Sequence, residues 1–324
     1  MLLRTEEVAQ TVQYAMGTVM SHKIHGMYAE DCLATVLREI DRLENHLSRF
    51  LPESEVSRIN RSAGINNEKI GSETFEFLTR AVECSRLCQG SYDVTIGPLV
   101  DLWKIGKQNF IQPEDALIKQ AAALVNYHDL ILDPIEMTAG LKNSGQSIDL
   151  GGIGKGIAGD KILEIYQAFG IRSAYSNLGG NVVTLGSKPD GSPWHVGIQH
   201  PRHENRLIGS VEVSDRSVVT SGDYRRFTID QNENRWHHIL NPFTGYPTDS
   251  DLISVTIVSP SSTTADVLST ILFITGMYQG IQIMKSFPET EAILMDAEEQ
   301  VFVTSGLKEI FQPDAGIQVK TIEI

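Results

Sequence analysis

Apolar positions along this chain follow two rhythms, a helical one and a strand one, that alternate without regularity. Between residues 31 and 50, Leu33, Val36, Leu37, Ile40, Leu43 and Leu47 recur at three- and four-residue steps, which predicts a helix with one apolar face. A second helix is expected from Ser72-Glu73-Thr74 to a stop at Gly90, and a third over 113–126, where proline and acids occupy the first turn. Residues 12–24 alternate as a strand passing through Met16-Gly17-Thr18. Residues 91–103 read as a strand that turns at Gly97-Pro98, and 130–132 and 147–150 as paired strands with Gly140 between them. Beyond residue 170 strands dominate, at 174–176, 182–184, 195–198, 211–213, 217–220, 236–240 and 252–258. Helices return at 264–275 and 278–286, and strands at 292–295 and 301–303. Nothing repeats at a fixed period. The irregular mixture predicts an α+β fold of mixed, largely antiparallel sheets with flanking helices.

The stretch that interrupts both rhythms is Ser147-Ile148-Asp149-Leu150-Gly151-Gly152-Ile153-Gly154-Lys155-Gly156-Ile157-Ala158-Gly159-Asp160. It reads as a short buried strand, a glycine turn and a helix continuing through Ile162, Ile165 and Phe169. Such a turn lets backbone N–H groups approach an anion at a helix N-terminus. A phosphate loop of the Gly-Lys-Ser/Thr type is excluded, because Gly156 follows Lys155. The spacing of Gly154, Gly156 and Gly159 matches a dinucleotide fingerprint, but the acid due about twenty residues on is absent, where Asn177-Leu178-Gly179-Gly180 stands. Close helix packing explains the same glycines equally well.

Composition narrows the function classes. The 324 residues, 41% hydrophobic and 21% charged, suffice for a sizeable core in one domain or two. A net charge of −14 argues against nucleic acid or an anionic membrane as partner. Cys32, Cys84 and Cys88 lack zinc-site spacing; Cys84 and Cys88, one helical turn apart, read as small core residues. No apolar run of spanning length and no signal-type opening is evident, so a cytoplasmic chain without a transmembrane segment is expected.

Three clusters carry candidate chemistry. At Ser261-Ser262-Thr263-Thr264-Ala265-Asp266 a helix starts, and Asp266, Ser269 and Thr270 share one face as hard oxygen ligands of the kind Mg²⁺ takes. Thr263-x-x-Asp266 also fits a capping box, with no ligand role for the acid. His238, in Trp236-His237-His238-Ile239-Leu240-Asn241-Pro242, suits a base, a ligand or a structural hydrogen-bonding group. Asp223, in Ser221-Gly222-Asp223-Tyr224, is a ligand-facing acid or an ordinary turn residue.

Taken in order, these pieces resemble the ApbE-type flavin transferases, the FAD:protein FMN transferases, from Met16-Gly17-Thr18 to Gly276. The marks are Met16-Gly17-Thr18, Phe50-x-x-x-Ser54-Glu55-Val56-Ser57-Arg58-Ile59-Asn60, Asp93-Val94-Thr95-Ile96-Gly97-Pro98 and Trp103. The glycine stretch, Asn177–Gly180, Ser221–Tyr224, His238-Ile239-x-Asn241-Pro242-x-Thr244-Gly245 and Ala265-Asp266-x-x-Ser269-Thr270 complete them. The resemblance implies one ApbE-like domain over 1–324, or two intertwined α+β subdomains with a boundary near 140–180, with a flavin site in the cleft between the subdomains. It implies Mg²⁺-dependent transfer of FMN from FAD to a Thr or Ser hydroxyl of an acceptor protein, releasing AMP. A diphosphatase splitting FAD into FMN and AMP, and a non-catalytic FAD carrier, are the rival functions.

Carried over residue by residue, Asp266 and Thr270 would hold Mg²⁺, with Ser269 assisting and Gly152 offering its carbonyl where the family often has Ala. Met16, Phe50, Asp149, Lys155 and Leu240 would line the FAD site, with Val100, Asp101 and Leu102 against the flavin or the adenine. His238 would be the base. Phe50 stands where Tyr is common, Asn241 where Asp is often seen, and Asp101 where Asn is often seen.

Overall fold

The computed structural model describes residues 7–107 and 110–323. Chain order begins with a hairpin of β1 (Val8–Ala15) and β2 (Thr18–His25), followed by α1 (Ala29–Leu47), α2 (Glu55–Arg61), β3 (Glu68–Lys69) and α3 (Ser72–Leu87). Next come α4 (Gly97–Trp103), α5 (Asp115–Ala122), β4 (Leu130–Asp133), β5 (Thr138–Leu141) and α6 (Gly154–Ala168). Six strands then run in succession: β6 (Ser173–Leu178), β7 (Asn181–Gly186), β8 (Trp194–Gln199), β9 (Leu207–Val213), β10 (Ser217–Gly222) and β11 (Phe227–Ile229). The chain ends with β12 (Arg235–His237), β13 (Leu252–Ser259), α7 (Ser262–Met284), β14 (Glu291–Asp296), β15 (Val301–Thr304), β16 (Phe311–Pro313) and β17 (Val319–Ile322).

Nine strands form the central sheet, in the order β1-β2-β6-β7-β10-β13-β14-β15-β17. All its pairings are antiparallel except β15 with β17. The α+β expectation, with largely antiparallel sheets, therefore holds. Helices α1, α6 and α7 cover one face, burying Val36, Ile40, Ile162, Leu268 and Leu272 against Ile24, Ala174, Val219 and Val255. Each such aliphatic side chain contributes about 1.5–3 kcal/mol when fully removed from water. The sheet β16-β9-β8 lies on the other face, around Val211, Val218, Val258 and Met295. Covered on both faces, all eight residues of β13 are buried, and its sequence is apolar apart from the small hydroxyl residues Ser254, Thr256 and Ser259.

Several local expectations are corrected. Residues 91–96 are not a strand: Asp93 accepts hydrogen bonds from the Thr95 and Tyr127 amides, and Pro98 then opens α4. The partner of β4 is β5, not residues 147–150, which make only an isolated bridge from Ser147 to Ile96. No strand precedes the glycines; instead Asn60 exchanges two hydrogen bonds with the Ile148 backbone (2.7 and 3.0 Å) and pins the segment to α2. Contrary to expectation, α7 is long and apolar enough by composition to cross a membrane. It breaks at Gly276 (φ 75°, ψ 176°), where the sequence divided it, and packs on β10, β13 and α6 as a core helix does.

One buried polar cluster makes stability depend on pH. His22 on β2 is 2% exposed and meets the Ser176 hydroxyl at 2.6 Å, which in turn meets the Tyr166 hydroxyl at 2.6 Å. Burial pushes the His22 pKa from 6.5 down to about 4. Because the folded value is the lower one, the contribution of neutral His22 is complete above pH 6.5 and is lost as pH falls towards 4. The His22→Gln variant should flatten this acid limb by up to ~3 kcal/mol, as measured by urea unfolding at a series of pH values. An unchanged limb would assign it to other groups.

Candidate active site

The site is built where α6 and α7 begin side by side. A Cβ on Gly156 would lie 2.6 Å from Thr263 Cα and 2.8 Å from Asp266 Cβ, and one on Gly159 2.3 Å from Ser262 Oγ. These two glycines therefore serve close helix packing. Asp160, one turn further along α6, closes the junction: its carboxylate accepts from Ser262 N (2.6 Å), Thr263 N (3.1 Å) and Ser261 Oγ (3.0 Å). Ser261 itself is the N-cap of α7, accepting from Thr264 N at 3.2 Å. With the helix start satisfied by Ser261 and Asp160, the capping-box reading of Asp266 falls.

Asp266 is 3% exposed and turned towards α6. Its Oδ2 accepts from Gly156 N at 2.8 Å, and its Oδ1 lies 3.5 Å from Lys155 Nζ. One turn on, Ser269 Oγ donates to the Asp266 carbonyl at 2.9 Å and meets Ser221 Oγ at 2.8 Å. Ser221 Oγ also lies 3.4 Å from Thr270 Oγ1. A Cβ on Gly152 would lie 3.7 Å from Thr270 Oγ1 and only 3.0 Å from the Tyr92 ring, so the glycine bend passes directly beside these hydroxyls. One carboxylate, three hydroxyls and a nearby main chain are the hard oxygen donors that suit a small divalent cation, and Asp266, Thr270, Ser269, Gly152 and Ser221 are the residues able to hold one.

A second cluster hangs on Arg49, whose side chain is 8% exposed. It donates to Asp149 Oδ2 at 2.8 Å and to Asp101 Oδ2 at 2.5 Å. Asp149 Oδ1 accepts from Gly151 N at 2.7 Å, so the same carboxylate shapes the glycine bend. Phe50, 77% exposed, lies beside Arg49 with the guanidinium 5.7 Å from its ring. Val100 and Leu102 are half-buried against the Trp103 cluster, while Asp101 faces solvent. Leu240 is buried in that cluster beside Leu99, Trp103 and Ile118, so its side chain forms a wall behind the site.

The third cluster joins the β1–β2 turn to His238. Met16 and Gly17, at φ 48° and 73°, form the tight hairpin turn, and Met16 Cε approaches Gly154. Arg226 Nη2 donates to the Gly17 carbonyl at 3.4 Å. The Arg226 carbonyl accepts from the His238 amide and faces His238 Nδ1, both at 3.1 Å. Nδ1 thus carries the proton, leaving Nε2 as an acceptor. Desolvation where the chain packs round the ring, opposed by the bond to Arg226 and aided by the Arg226, His237 and Lys155 charges, lowers the His238 pKa towards about 4, an upper limit on the shift for a residue whose outer edge stays exposed. The imidazole edge is solvent-accessible and neutral at neutral pH.

Asp223 is excluded as a ligand group, being held by Arg202 in a two-pronged ion pair (2.7 and 2.7 Å). Asn241 accepts from the Phe243 and Thr244 amides and forms a turn. Sequence reasoning gave no role to Ser221, Arg49 or Asp160. Ser221 alone carried a signal, through strand alternation, which turns it and Val219 to the helix face.

Over most of its length the chain is similar to known proteins. The family model described as the ApbE family matches residues 16–294. A "FAD:protein FMN transferase" of Klebsiella pneumoniae (strain 342) is 34% identical over 306 residues, covering 94% of each chain. The crystal structure of the ApbE protein of Thermotoga maritima superposes with TM-score 0.86 at 27% identity, over 94% of this chain and 99% of that one. The flavin transferase ApbE of Vibrio cholerae gives TM-score 0.84 at 25% identity, over 94% and 100%.

Removing the α6–α7 clasp should be measurable without any ligand. Asp160→Ala is expected to lower the unfolding free energy by ~1–2 kcal/mol, and Asp160→Asn by less, in urea titrations. Equal stability of all three proteins would show that the clasp contributes nothing.

Proposed function

The chain belongs to the ApbE family, and on that premise we propose that it transfers FMN from FAD to a Thr or Ser hydroxyl of an acceptor protein. The observation that carries this reading is the oxygen cluster of Asp266, Ser269, Thr270 and Ser221 beside the glycine bend and Lys155. A binding module for FAD has no need of a cation site at a diphosphate, whereas phosphoryl transfer depends on positioning and on neutralising charge.

A Mg²⁺ ion held by Asp266 and Thr270, with Ser269 and the Gly152 carbonyl, would supply Lewis-acid stabilisation of the diphosphate. Lys155, 26% exposed at its side chain, adds a fixed positive charge on the same side. In the reaction the acceptor oxygen bonds to the FMN phosphorus, the bond to the bridging oxygen breaks, and AMP leaves. His238 Nε2 takes the proton from the acceptor hydroxyl, since Nδ1 is committed to the Arg226 carbonyl. Arg49 orients Asp149, Met16 offers apolar surface against Gly154, and the exposed Phe50 ring lies beside Arg49. Water taking the place of the acceptor would give the diphosphatase reaction.

Two outcomes test this reading. Asp266→Ala should abolish Mg²⁺-dependent release of AMP from FAD while leaving the far-ultraviolet dichroism spectrum unchanged; retained turnover would remove the metal assignment. If neutral His238 is the base, kcat/KM should fall as pH drops through about 4, and His238→Ala should lose that limb while slowing transfer by roughly 10²–10⁴. A loss in FAD affinity matching the loss in rate would demote His238 to a structural role.

A further inference from the structure

We propose that the acceptor protein docks as an extended strand in a groove on the opposite face of the central sheet, along the free edge of β8. This rests on the transferase reading, which requires a polypeptide to bring its hydroxyl to the FMN phosphorus.

A cavity of about 460 Å³ lies between β8 and the faces of β7 and β10. Val196, Gly197, Ile198 and Gln199 all line it. Successive side chains of a strand point to opposite faces, so a cavity touching four consecutive residues lies against the strand's edge, where N–H and C=O groups project. Among the described residues β8 pairs with β9 alone. Its sequence, Trp-His-Val-Gly-Ile-Gln, contains no lysine, acid or proline of the kind that blocks an edge from further pairing. The far wall offers the half-buried Val182 and Thr220, over the buried Val218, as an apolar and hydroxyl surface for alternate side chains of an added strand.

Charge sets what that strand must carry. At the mouth of the groove stands Arg225, exposed and with no carboxylate partner among the described residues, in a chain of net charge −14. Its guanidinium lies 5.5 Å from the Tyr224 ring and against Gly180, where an added Cβ would come within 2.8 Å of Nη2. A cation held in place but unpaired is complementary to an acidic side chain on the acceptor strand. The same corner leads to the reaction centre. Thr18 lines the groove, Gly17 is bonded to Arg226, and the Arg226 carbonyl holds His238. A segment leaving the groove past Arg225 rounds the β1–β2 turn towards His238 Nε2.

The test uses alanine-based peptides with one central threonine and one aspartate stepped along the chain, incubated with the protein, FAD and Mg²⁺. Wild-type protein should add FMN fastest when the aspartate sits at one offset on one side of the threonine, with KM about tenfold lower than for lysine at that offset. Arg225→Glu should invert the preference, while the affinity for FAD, measured by fluorescence titration, stays put. A benzophenone-bearing version of the best peptide should cross-link to residues 194–199. Transfer that ignores the aspartate, an unchanged profile in Arg225→Glu, or cross-links elsewhere would overturn the groove. FAD cleavage with no peptide modified at any offset would instead overturn the transferase reading, and the docking proposal with it.

Discussion

The close approach of α6 to α7 is the constraint on which everything near the site depends. Any side chain larger than hydrogen at Gly156 would collide with Thr263 and Asp266, and the helices would separate. Only at this separation can the Gly156 amide reach Asp266 and the Asp160 carboxylate reach the first amides of α7. Asp266 is thereby buried without being exhausted: one oxygen is fixed by an amide, and the other looks towards Lys155 at a distance too long for a strong pair. A buried carboxylate with spare lone pairs is unfavourable on its own and is stabilised by a cation.

Much of this architecture was legible because it follows local chemistry. The α1 face and the strand series after residue 170 are each set by periodicity within a few positions, whereas 12–24, which alternates as one strand, is broken into β1 and β2 by the left-handed turn at Met16-Gly17. What escaped the sequence depends on partners far along the chain. Arg49 reaches Asp149 across 100 residues, Asp160 reaches Ser262 across 102, and Asn60 reaches Ile148 across 88. The segment 147–150 looked like a strand because its apolar residues alternate, yet its hydrogen bonds go to the Asn60 side chain and to Val94. Similarly, the glycines suggested a phosphate cradle and packing with equal force. Only the distances from Gly156 and Gly159 to α7 show that packing claims those two, leaving Gly151 and Gly152 to form the bend.

Electrostatics divide the labour among the basic groups. Arg49 is committed to two acids, and Arg202 to Asp223. Lys155, Arg225 and Arg226 are left with weak partners or none: Lys155 stands beside Asp266, Arg226 at the β1–β2 turn, and Arg225 on the groove lining. Lys155 and Arg226 also help to keep His238 unprotonated. A bound diphosphate would reverse that influence, since anionic oxygens favour the protonated imidazole and so strengthen its pull on an acceptor proton.

Strand β10 connects these two regions through its alternation alone. Val219 and Ser221 face the helices, and Ser221 completes the oxygen cluster with Ser269 and Thr270. Val218 and Thr220 face the other way and line the groove beside β8. Beyond Gly222 the chain wraps round the end of the sheet, carrying Arg225 to the groove side and the Arg226 carbonyl to His238. A single-residue slip in the pairing of β10 with β13 would exchange the two faces, turning Ser221 away from Ser269 and Thr270 and setting Thr220 or Gly222 in its place. The six-residue antiparallel register between these strands, with β13 buried on both sides, is what holds the two surfaces in their relation.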